Sequence, residues 1–324
     1  MSDFPVLHGL HHVTAVTADA RANHDFYTRL LGMRLVKKTV NQDDTSAYHL
    51  FYADDMGSPG TELTFFEWPQ AAPARPGAGT VSETALRVAG GADALTRWQA
   101  WFAQNNVGHG EIEPATDTDP ASLAFQDFEG QSLRLLAATS DENATAATTT
   151  PTRAGGPPAG LSVVGLGAVT LTVPYPEQTA RVLTEALGFR AHPADPSLYE
   201  TGAGGVGARL RLATAPARGY AGAGGVHHVA WLVRDRAEQT AWRQHLEAIG
   251  LPNSGLVDRF YFQSLYFRIP GNILFEIATA GPGFTADEPV ERLGETLSLP
   301  PFLEERRAQI EAGLQPLETT TPSR

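Results

Sequence analysis

Cysteine is absent from this sequence of 324 residues. Without it the chain can form no disulfide bond, has no thiolate nucleophile and cannot build a zinc site on sulfur ligands. A metal ion would have to be held by nitrogen and oxygen atoms. The candidate ligands are therefore the side chains of histidine, aspartate and glutamate.

Basic residues are also scarce, with 24 Lys and Arg against 36 Asp and Glu and a formal net charge of -12. No basic cluster reverses this balance locally, which disfavours nucleic acid as a partner. No stretch approaches the roughly 20 apolar residues that span a membrane, and the N-terminus lacks the pattern of a signal peptide. We therefore expect a cytoplasmic protein without a membrane partner; its oligomeric state stays open, a homo-oligomer included.

Large apolar residues are nearly missing between Thr139 and Gly160, a segment rich in Thr, Ala, Gly and Pro that is typical of a linker. We predict an N-terminal half at 1–138, a linker at 139–160, a C-terminal half at 161–284 and an extension at 285–324. The extension contains LPPFLEERRAQIEAGLQPL, the pattern of a short charged helix. We expect this helix to dock on the C-terminal half.

A similar unit occurs twice in each half: a strand, a helix and three further strands. The helices of units one and three end at Gly32 and Gly188, and those of units two and four are predicted to begin after N-caps at Asp93 and Asp235. The sequence thus predicts an α+β fold of four βαβββ modules. We expect them to pair into two barrel-like half-shells, each with a concave face suited to a binding site.

Two His-His pairs open corresponding strands, His11 and His12 in unit one and His227 and His228 in unit four. Because side chains alternate between the faces of a strand, only one histidine of each pair can point into the concavity, and the other must point away or sideways. We expect one metal ligand from each pair. The other histidines are interpreted as structural: His8, His24, His49, His109, His192 and His245.

Glu276 lies in the apolar strand sequence ILFEIA, where a carboxylate is costly to bury unless a cation or hydrogen bonds compensate it. Two imidazoles and one carboxylate form the facial triad that leaves adjacent positions open on iron(II) for a chelating substrate and O2. Zinc hydrolases can use the same ligand set. Glu67, near the end of unit one's last strand, is a rival carboxylate that ranks below Glu276.

Several longer motifs accompany these residues: LHHVT, KKTVNQDD, YHLFYADDMGSPGTELTFF, VHHVAW, DRFYFQSLYFRIPGNILFEIAT and the LPPFLEERRAQIEAGLQPL of the extension. Together they resemble the vicinal-oxygen-chelate superfamily and, within it, ring-cleaving dioxygenases that act on hydroquinones and chlorohydroquinones. The resemblance covers nearly the whole chain. It implies the vicinal-oxygen-chelate fold and an enzyme that opens a hydroquinone- or catechol-type ring with O2.

The resemblance also implies roles for individual residues. His12, His228 and Glu276 would bind Fe(II), with Mn(II) as the alternative metal. His11 and His227 would lie behind these ligands and act as catalytic residues that help to stabilise developing charge.

Two residues of unit four match family residues near the substrate oxygens, Arg259 in DRFYF and Tyr266 in SLYFR. Arg259 would stabilise an anionic oxygen, and the Tyr266 hydroxyl would donate a hydrogen bond or exchange a proton. The alternatives are that Arg259 pairs with Asp258 or another surface acid and that Tyr266 only packs its ring.

Two other functions remain open on the sequence. A glyoxalase-like isomerase or epimerase would use Zn(II), Ni(II) or Co(II) and consume no O2. A metal-free binding module, like the antibiotic-sequestering proteins of the superfamily, would need no complete ligand set.

The position of the ligands predicts which units pair. Aligning the first strands places one residue of each unit at the same position: His12, Glu83, Ala168 and His228. Aligning the last strands sets three residues against Glu276: Phe65, Leu135 and Leu210. Units two and three therefore lack the ligand set, and we expect units one and four to share one cavity.

Overall fold

The computed structural model describes residues 5–138 and 155–319, so that most of the predicted linker lies outside the described residues. The four predicted βαβββ units are all present. Unit one contains β1 (Leu10–Thr17), α1 (Ala20–Asp25), β2 (Arg34–Val40), β3 (Tyr48–Ala53) and β4 (Glu62–Glu67). Unit two contains β5 (Thr80–Val88), α2 (Gly91–Gln104), β6 (His109–Glu113), β7 (Ser122–Gln126) and β8 (Ser132–Ala137).

The units of the second half have the same order of elements. Unit three contains β9 (Val163–Val173), α3 (Pro176–Arg181), β10 (Arg190–His192), β11 (Asp195–Glu200) and β12 (Arg209–Thr214). Unit four contains β13 (Gly225–Val233), α4 (Arg236–Ala248), β14 (Asn253–Asp258), β15 (Gln263–Ile269) and β16 (Ile273–Thr279). A π-helical turn follows each of α1 and α3, at Phe26–Leu30 and Val182–Ala186.

The strands form two eight-stranded sheets. Sheet one has the order β14-β15-β16-β13-β1-β4-β3-β2, which joins units one and four through the antiparallel pair of β1 and β13. Sheet two has the order β10-β11-β12-β9-β5-β8-β7-β6, which joins units two and three through β5 and β9. The predicted fold and the predicted pairing of units are confirmed.

The two helix starts that the sequence predicts have different outcomes. Asp235 caps α4 as predicted, because its side chain accepts hydrogen bonds from the backbone N–H groups of Ala237 and Glu238. The prediction for Asp93 is wrong. Helix α2 begins at Gly91 after Gly90, whose φ of 94° is accessible without steric cost to glycine. Asp93 lies inside the first turn, where a carboxylate still favours the positive end of the helix dipole.

The C-terminal extension packs against unit one, so the prediction that it docks on the C-terminal half is wrong. It contains three 3₁₀ turns (Phe284–Ala286, Val290–Arg292 and Pro301–Arg306) and helix α5 (Arg307–Gly313). The backbone N–H of Ser298 donates to the Lys38 carbonyl at 2.9 Å, and the Lys38 ammonium donates to the Leu317 carbonyl at 3.0 Å. The physical reason is that the edge strand β2 offers both an unpaired backbone and a buried charge, the Lys37 ammonium, which pairs with Asp287 and Glu288 of the extension.

No helix among the described residues combines the length and the apolar character needed to cross a membrane.

Candidate metal centre

Two β-bulges set the orientation of the histidine pairs. In the pairing of β1 with β13, Leu10 lies opposite Trp231 and His12 opposite Ala230, so that His11 is an extra residue. His227 is the extra residue on β13 in the same way. A bulge re-aims the side chains of consecutive residues. The first histidine of each pair therefore turns sideways and lies beside the second, rather than on the opposite face.

The second histidines converge on the predicted carboxylate. His12 Nε2 lies 3.2 Å from His228 Nε2, and Glu276 Oε2 lies 3.3 Å from His12 Nε2 and 3.0 Å from His228 Nε2. All three side chains are buried. The structure thus brings together the three residues that the sequence singles out, from the two ends of the chain.

The carboxylate of Glu276 is ionised and only partly satisfied. Its Oε1 accepts a hydrogen bond from the Ser264 hydroxyl at 2.5 Å, whereas Oε2 is buried and has no hydrogen bond of acceptable geometry among the described residues. Burial acts to raise the pKa of Glu276, but the imidazoles of His12 and His228 hold that pKa well below its usual value. A buried anionic oxygen without a donor is a costly arrangement unless a cation lies next to it.

Hydrogen bonds behind His12 fix its tautomer. His11 Nε2 lies 3.1 Å from the Thr279 carbonyl, which can only accept, so Nε2 carries a proton. Burial lowers the pKa of His11 to about 3, which leaves the ring neutral and its Nδ1 an acceptor. His12 Nδ1 lies 2.9 Å from that atom and must donate to it. In the neutral tautomer that this contact selects, the free nitrogen of His12 is Nε2, the atom that faces Glu276.

The pair on β13 repeats this contact. His228 Nδ1 lies 2.7 Å from His227 Nδ1, and burial lowers the pKa of His227 to about 3 and also lowers that of His228. Neutral imidazoles are the form that binds metals.

The geometry of the three facing atoms fits a metal ion. Nitrogen and oxygen ligands lie about 2 Å from a divalent metal, so two ligands at a right angle are about 3 Å apart. The measured separations of 3.0 to 3.3 Å match that value. Electron-rich atoms at this distance repel each other unless a proton or cation lies between them. Two histidines and one carboxylate are moreover the ligand types of a facial triad.

A second cluster is a weaker candidate. The ligand atoms of His11, His12 and Glu62 lie within 4.8 Å of one another, but His11 Nδ1 is 3.9 Å from Glu62 Oε1. Burial raises the pKa of Glu62 well above its usual value, which favours the neutral acid and makes it a poor ligand. The Nδ1 atoms of His11 and His12 are moreover already hydrogen-bonded to each other.

The rival carboxylate Glu67 lies elsewhere. Its Oε1 accepts a hydrogen bond at 3.0 Å from the backbone N–H of Ala20, at the start of α1. The residue of β4 that is equivalent to Glu276 is Thr64. Glu67 lies three residues beyond it and therefore on the opposite face of the strand. Glu67 does not reach the cluster formed by His12, His228 and Glu276.

The register of the sheets corrects one sequence alignment. Thr14 lies opposite His228 and Ala85 opposite Ala168, which confirms that Glu83 and Ala168 stand at the positions of the two histidines. The alignment of the last strands is wrong by one residue. The residues equivalent to Glu276 are Thr64, Arg134 and Arg211, in place of Phe65, Leu135 and Leu210. Unit four has one residue more than the other units between its glycine and the equivalent position, so an alignment on the glycines shifts its register by one residue.

The cluster opens into a cavity of about 420 Å³, which His227, Arg259 and Tyr266 also line. Arg259 Nε donates to the Tyr266 hydroxyl at 3.3 Å, and its Nη2 donates to Asp43 at 2.7 Å. Arg259 thus pairs with an exposed acid of unit one, as the alternative interpretation expects, although that acid is Asp43 and not Asp258. Desolvation acts against its charge, but hydrogen bonds with Asp43 and Tyr266 raise the pKa of Arg259.

Tyr266 is in its neutral form. Burial and the nearby Glu276 carboxylate raise the pKa of the Tyr266 hydroxyl above its usual value, so that it holds its proton at neutral pH. The ring of His228 lies 6.0 Å away, centroid to centroid. A protonated hydroxyl next to the cluster can donate a hydrogen bond to an oxygen atom of a molecule bound in the cavity.

Three residues around the site were not predicted from the sequence as part of it. Ser264 binds Glu276, Asp43 binds Arg259, and His49, interpreted as structural, lines the cavity with its Nε2 3.0 Å from the Thr64 hydroxyl. Ser264 lies two residues before Tyr266 on β15, so strand alternation could have placed it. Nothing in the sequence links Asp43 to Arg259.

Comparisons with known proteins identify the family of the chain. The profile of the Glyoxalase/Bleomycin resistance protein/Dioxygenase superfamily matches residues 9–153 and 165–277. The chain is 46% identical over 321 residues to "Putative ring-cleaving dioxygenase MhqA" of Bacillus subtilis, covering 96% of this chain and 99% of that protein. It is 30% identical over 305 residues to chlorohydroquinone/hydroquinone 1,2-dioxygenase of Sphingobium indicum, covering 91% and 92%.

A solved structure supports the same relationship. The crystal structure titled "putative dioxygenase from Bacillus subtilis" superposes on this chain with a TM-score of 0.87 at 36% identity. The superposition covers 97% of this chain and 99% of that one. Profile, relatives and solved structure all span most of the chain. The protein therefore belongs to the Glyoxalase/Bleomycin resistance protein/Dioxygenase superfamily.

Proposed function

We propose that this protein is a non-haem Fe(II) dioxygenase that opens a hydroquinone- or catechol-type ring with O2. The observation that carries the proposal is the convergence of His12 Nε2, His228 Nε2 and Glu276 Oε2 within 3.3 Å, at the base of a cavity. The relatives named as ring-cleaving dioxygenases support the reaction class. Mn(II) is the alternative metal for this ligand set.

The three converging residues would hold the metal. Bound there, it would supply the redox chemistry that lets the aromatic ring react with O2, a reaction that neither reactant undergoes readily alone. His11 sets the side of the His12 ring that faces the metal, by accepting from Nδ1. The Ser264 hydroxyl holds one oxygen of Glu276 and so turns the other toward the site.

Two residues act on the substrate in this proposal. Arg259 donates charge-assisted hydrogen bonds to a substrate oxygen, and the hydrogen bonds of Asp43 keep its guanidinium in place. Tyr266 keeps its proton, because burial raises the pKa of its hydroxyl, and donates it toward an oxygen that gains negative charge. His227 lines the same cavity and stabilises His228 from behind.

The shape of the cavity favours a flat ring. Aromatic residues form much of its wall, among them Phe51, Phe66, Trp68 and Phe262. Such walls bury a planar apolar ring well and leave orientation to a few polar groups.

The test is an anaerobic purification followed by metal analysis and an O2-electrode screen of hydroquinones and catechols. We expect about one iron per chain and O2 uptake in equal amount to ring loss. Isomerase activity without O2 uptake would instead support a glyoxalase-like enzyme. Ligand binding by a protein that takes up no metal would support a binding module, and either result would contradict the proposal.

A further inference from the structure

A second cavity of about 500 Å³ adjoins the proposed active cavity. The two share wall residues His227 and Leu274. Arg75, Arg218 and Arg268 line the second cavity, and none of the described residues that line it is acidic. In a chain with a formal net charge of -12, three arginines around one cleft are an exception that attracts anions. We call it the arginine cleft.

The arginines come from three different segments. Arg75 belongs to the connection from β4 to β5 and Arg218 to the connection from β12 to β13. The backbones of these connections are tied together, since Arg75 N donates to Tyr220 O at 3.1 Å and Tyr220 N to Arg75 O at 3.0 Å. The third arginine, Arg268, lies on β15. The fold therefore fixes the two connections next to each other, and the cleft brings Arg268 beside them.

Strand β15 leads from the metal centre to the arginine cleft. Ser264, Tyr266 and Arg268 share one face of this strand because side chains alternate. Ser264 binds Glu276, Tyr266 lines the active cavity, and Arg268 lines the cleft. An anion leaving the centre would pass from one hydrogen-bond donor to the next.

The proposed reaction creates such an anion. Cleaving the bond between a hydroxyl-bearing ring carbon and its neighbour with O2 puts one oxygen atom on each carbon, and the four electrons that reduce O2 come from the ring. The hydroxyl-bearing carbon becomes a carboxylic acid, whose proton passes to water at neutral pH because such groups have a pKa of about 4. An uncharged substrate is thereby converted into a carboxylate inside an acidic protein.

We propose that the arginine cleft binds the carboxylate of the ring-opened product and forms its exit path. This inference rests on the proposed function. Arginine suits the task because its planar fork matches a carboxylate with two parallel hydrogen bonds. The exposure of all three arginines keeps this binding weak enough for release, since solvent and salt screen exposed charges.

The experiment measures binding of hexadienoate, a six-carbon unsaturated monocarboxylate, to the iron-loaded protein without O2 by titration calorimetry. The variants are Arg75→Gln with Arg218→Gln, compared with Arg236→Gln. Arg236 is an exposed arginine on α4 and does not line the cleft. Removing two screened charges should raise the Kd for hexadienoate about tenfold, whereas Arg236→Gln should leave it unchanged. The neutral amide of the same chain should show no difference.

Two results would overturn the inference. The first is equal hexadienoate binding by the wild type and the double variant. The second is inorganic phosphate binding more tightly than hexadienoate in an arginine-dependent way, which would assign the cleft to a phosphate ligand. Wild-type O2 uptake in the double variant, together with equal hexadienoate binding, would reject the exit path and leave the proposed function intact. Absence of O2 uptake by the iron-loaded wild-type protein with every hydroquinone and catechol of the screen would reject the proposed function itself.

Discussion

In sheet one, β1 and β13 place His12 and His228 at equivalent positions, and β16 adds Glu276. In sheet two, the strands with the same register hold Glu83 and Ala168 at the histidine positions. Both sheets have eight strands, and the strands of each unit follow one another in the same order in both sheets. The two sheets share one architecture, so the proposed metal site of sheet one depends on three residues at one of its faces rather than on the fold.

The equivalent face of sheet two is filled with ion pairs. Arg134 Nε donates to Glu83 Oε1 at 3.0 Å, and Arg211 binds both Asp119 and Asp195. These charges neutralise one another directly, so this face needs no cation. In sheet one, no Lys or Arg of the described residues pairs with the buried Oε2 of Glu276, which faces only the two histidines. The difference shows how one scaffold can either satisfy its polar groups internally or leave them for a metal.

The largest effect is expected from Glu276→Gln. The substitution keeps the shape of the side chain but removes the negative charge that offsets the metal's positive charge. Loss of a residue that hydrogen-bonds to a metal ligand typically lowers metal affinity or activity about 10- to 100-fold, and loss of the ligand itself should lower them more. We expect iron binding and O2 uptake to fall by at least about 10³-fold. Glu67→Gln is the control and should change activity little. Full activity with stoichiometric iron in Glu276→Gln would remove Glu276 from the ligand set.

A smaller effect is expected from His11→Leu. Leucine cannot accept the proton of His12 Nδ1, so the His12 ring loses its fixed tautomer, and iron affinity should fall about 10- to 100-fold. His11→Gln is the matched control, because its amide can both donate to Thr279 and accept from His12. Equal iron affinity in the two variants, measured by competition with a chelator, would mean that His11 does not orient His12.

The pH dependence of stability should reflect the buried histidines of sheet one. The pKa of His227 is about 3 in the folded protein, far below the unfolded value of 6.5, because of burial. Above pH 6.5 the ring is neutral in both states. As pH falls from 6.5 toward 3, only the unfolded chain takes up the proton, so the free energy of unfolding decreases across this window. Urea titrations of the metal-free protein should show a shallower decrease for His227→Asn, and an identical decrease would contradict the assignment.

The smallest effect is expected in sheet two. Glu83→Gln removes one half-buried ion pair, which should cost about 1 kcal/mol at most and lower the Tm by about 2 °C. Iron affinity should stay unchanged, because the pair with Arg134 belongs to the other sheet. Weaker iron binding in this variant would show that sheet two takes part in the site.

Much of this site can be predicted from the sequence because its residue types are unusual for their surroundings. Two histidine pairs on matched strands and Glu276 in an apolar strand are visible in the chain itself. The distribution of these residues over both halves predicts the pairing of units one and four. These inferences need only strand alternation and the cost of burying charge.

Other features depend on contacts that the sequence does not encode locally. The bulges at His11 and His227 arise from the pairing of β1 with β13, and they decide that both members of each pair touch. The position of the extension depends on its contacts with one of the two edge strands of sheet one, β2. The partner of Arg259 lies 216 residues away in the chain, at Asp43. Long-range pairings of this kind have no signal in a single sequence.

The central claim is that the second histidine of each pair, with Glu276, binds the metal. Crystals grown anaerobically with Fe(II) and measured at the iron absorption edge test it directly, since anomalous scattering locates iron. We predict one anomalous peak about 2 Å from His12 Nε2, His228 Nε2 and Glu276 Oε2, and none on sheet two. A peak at His11, His12 and Glu62, or an iron bound to sheet two, would contradict the account.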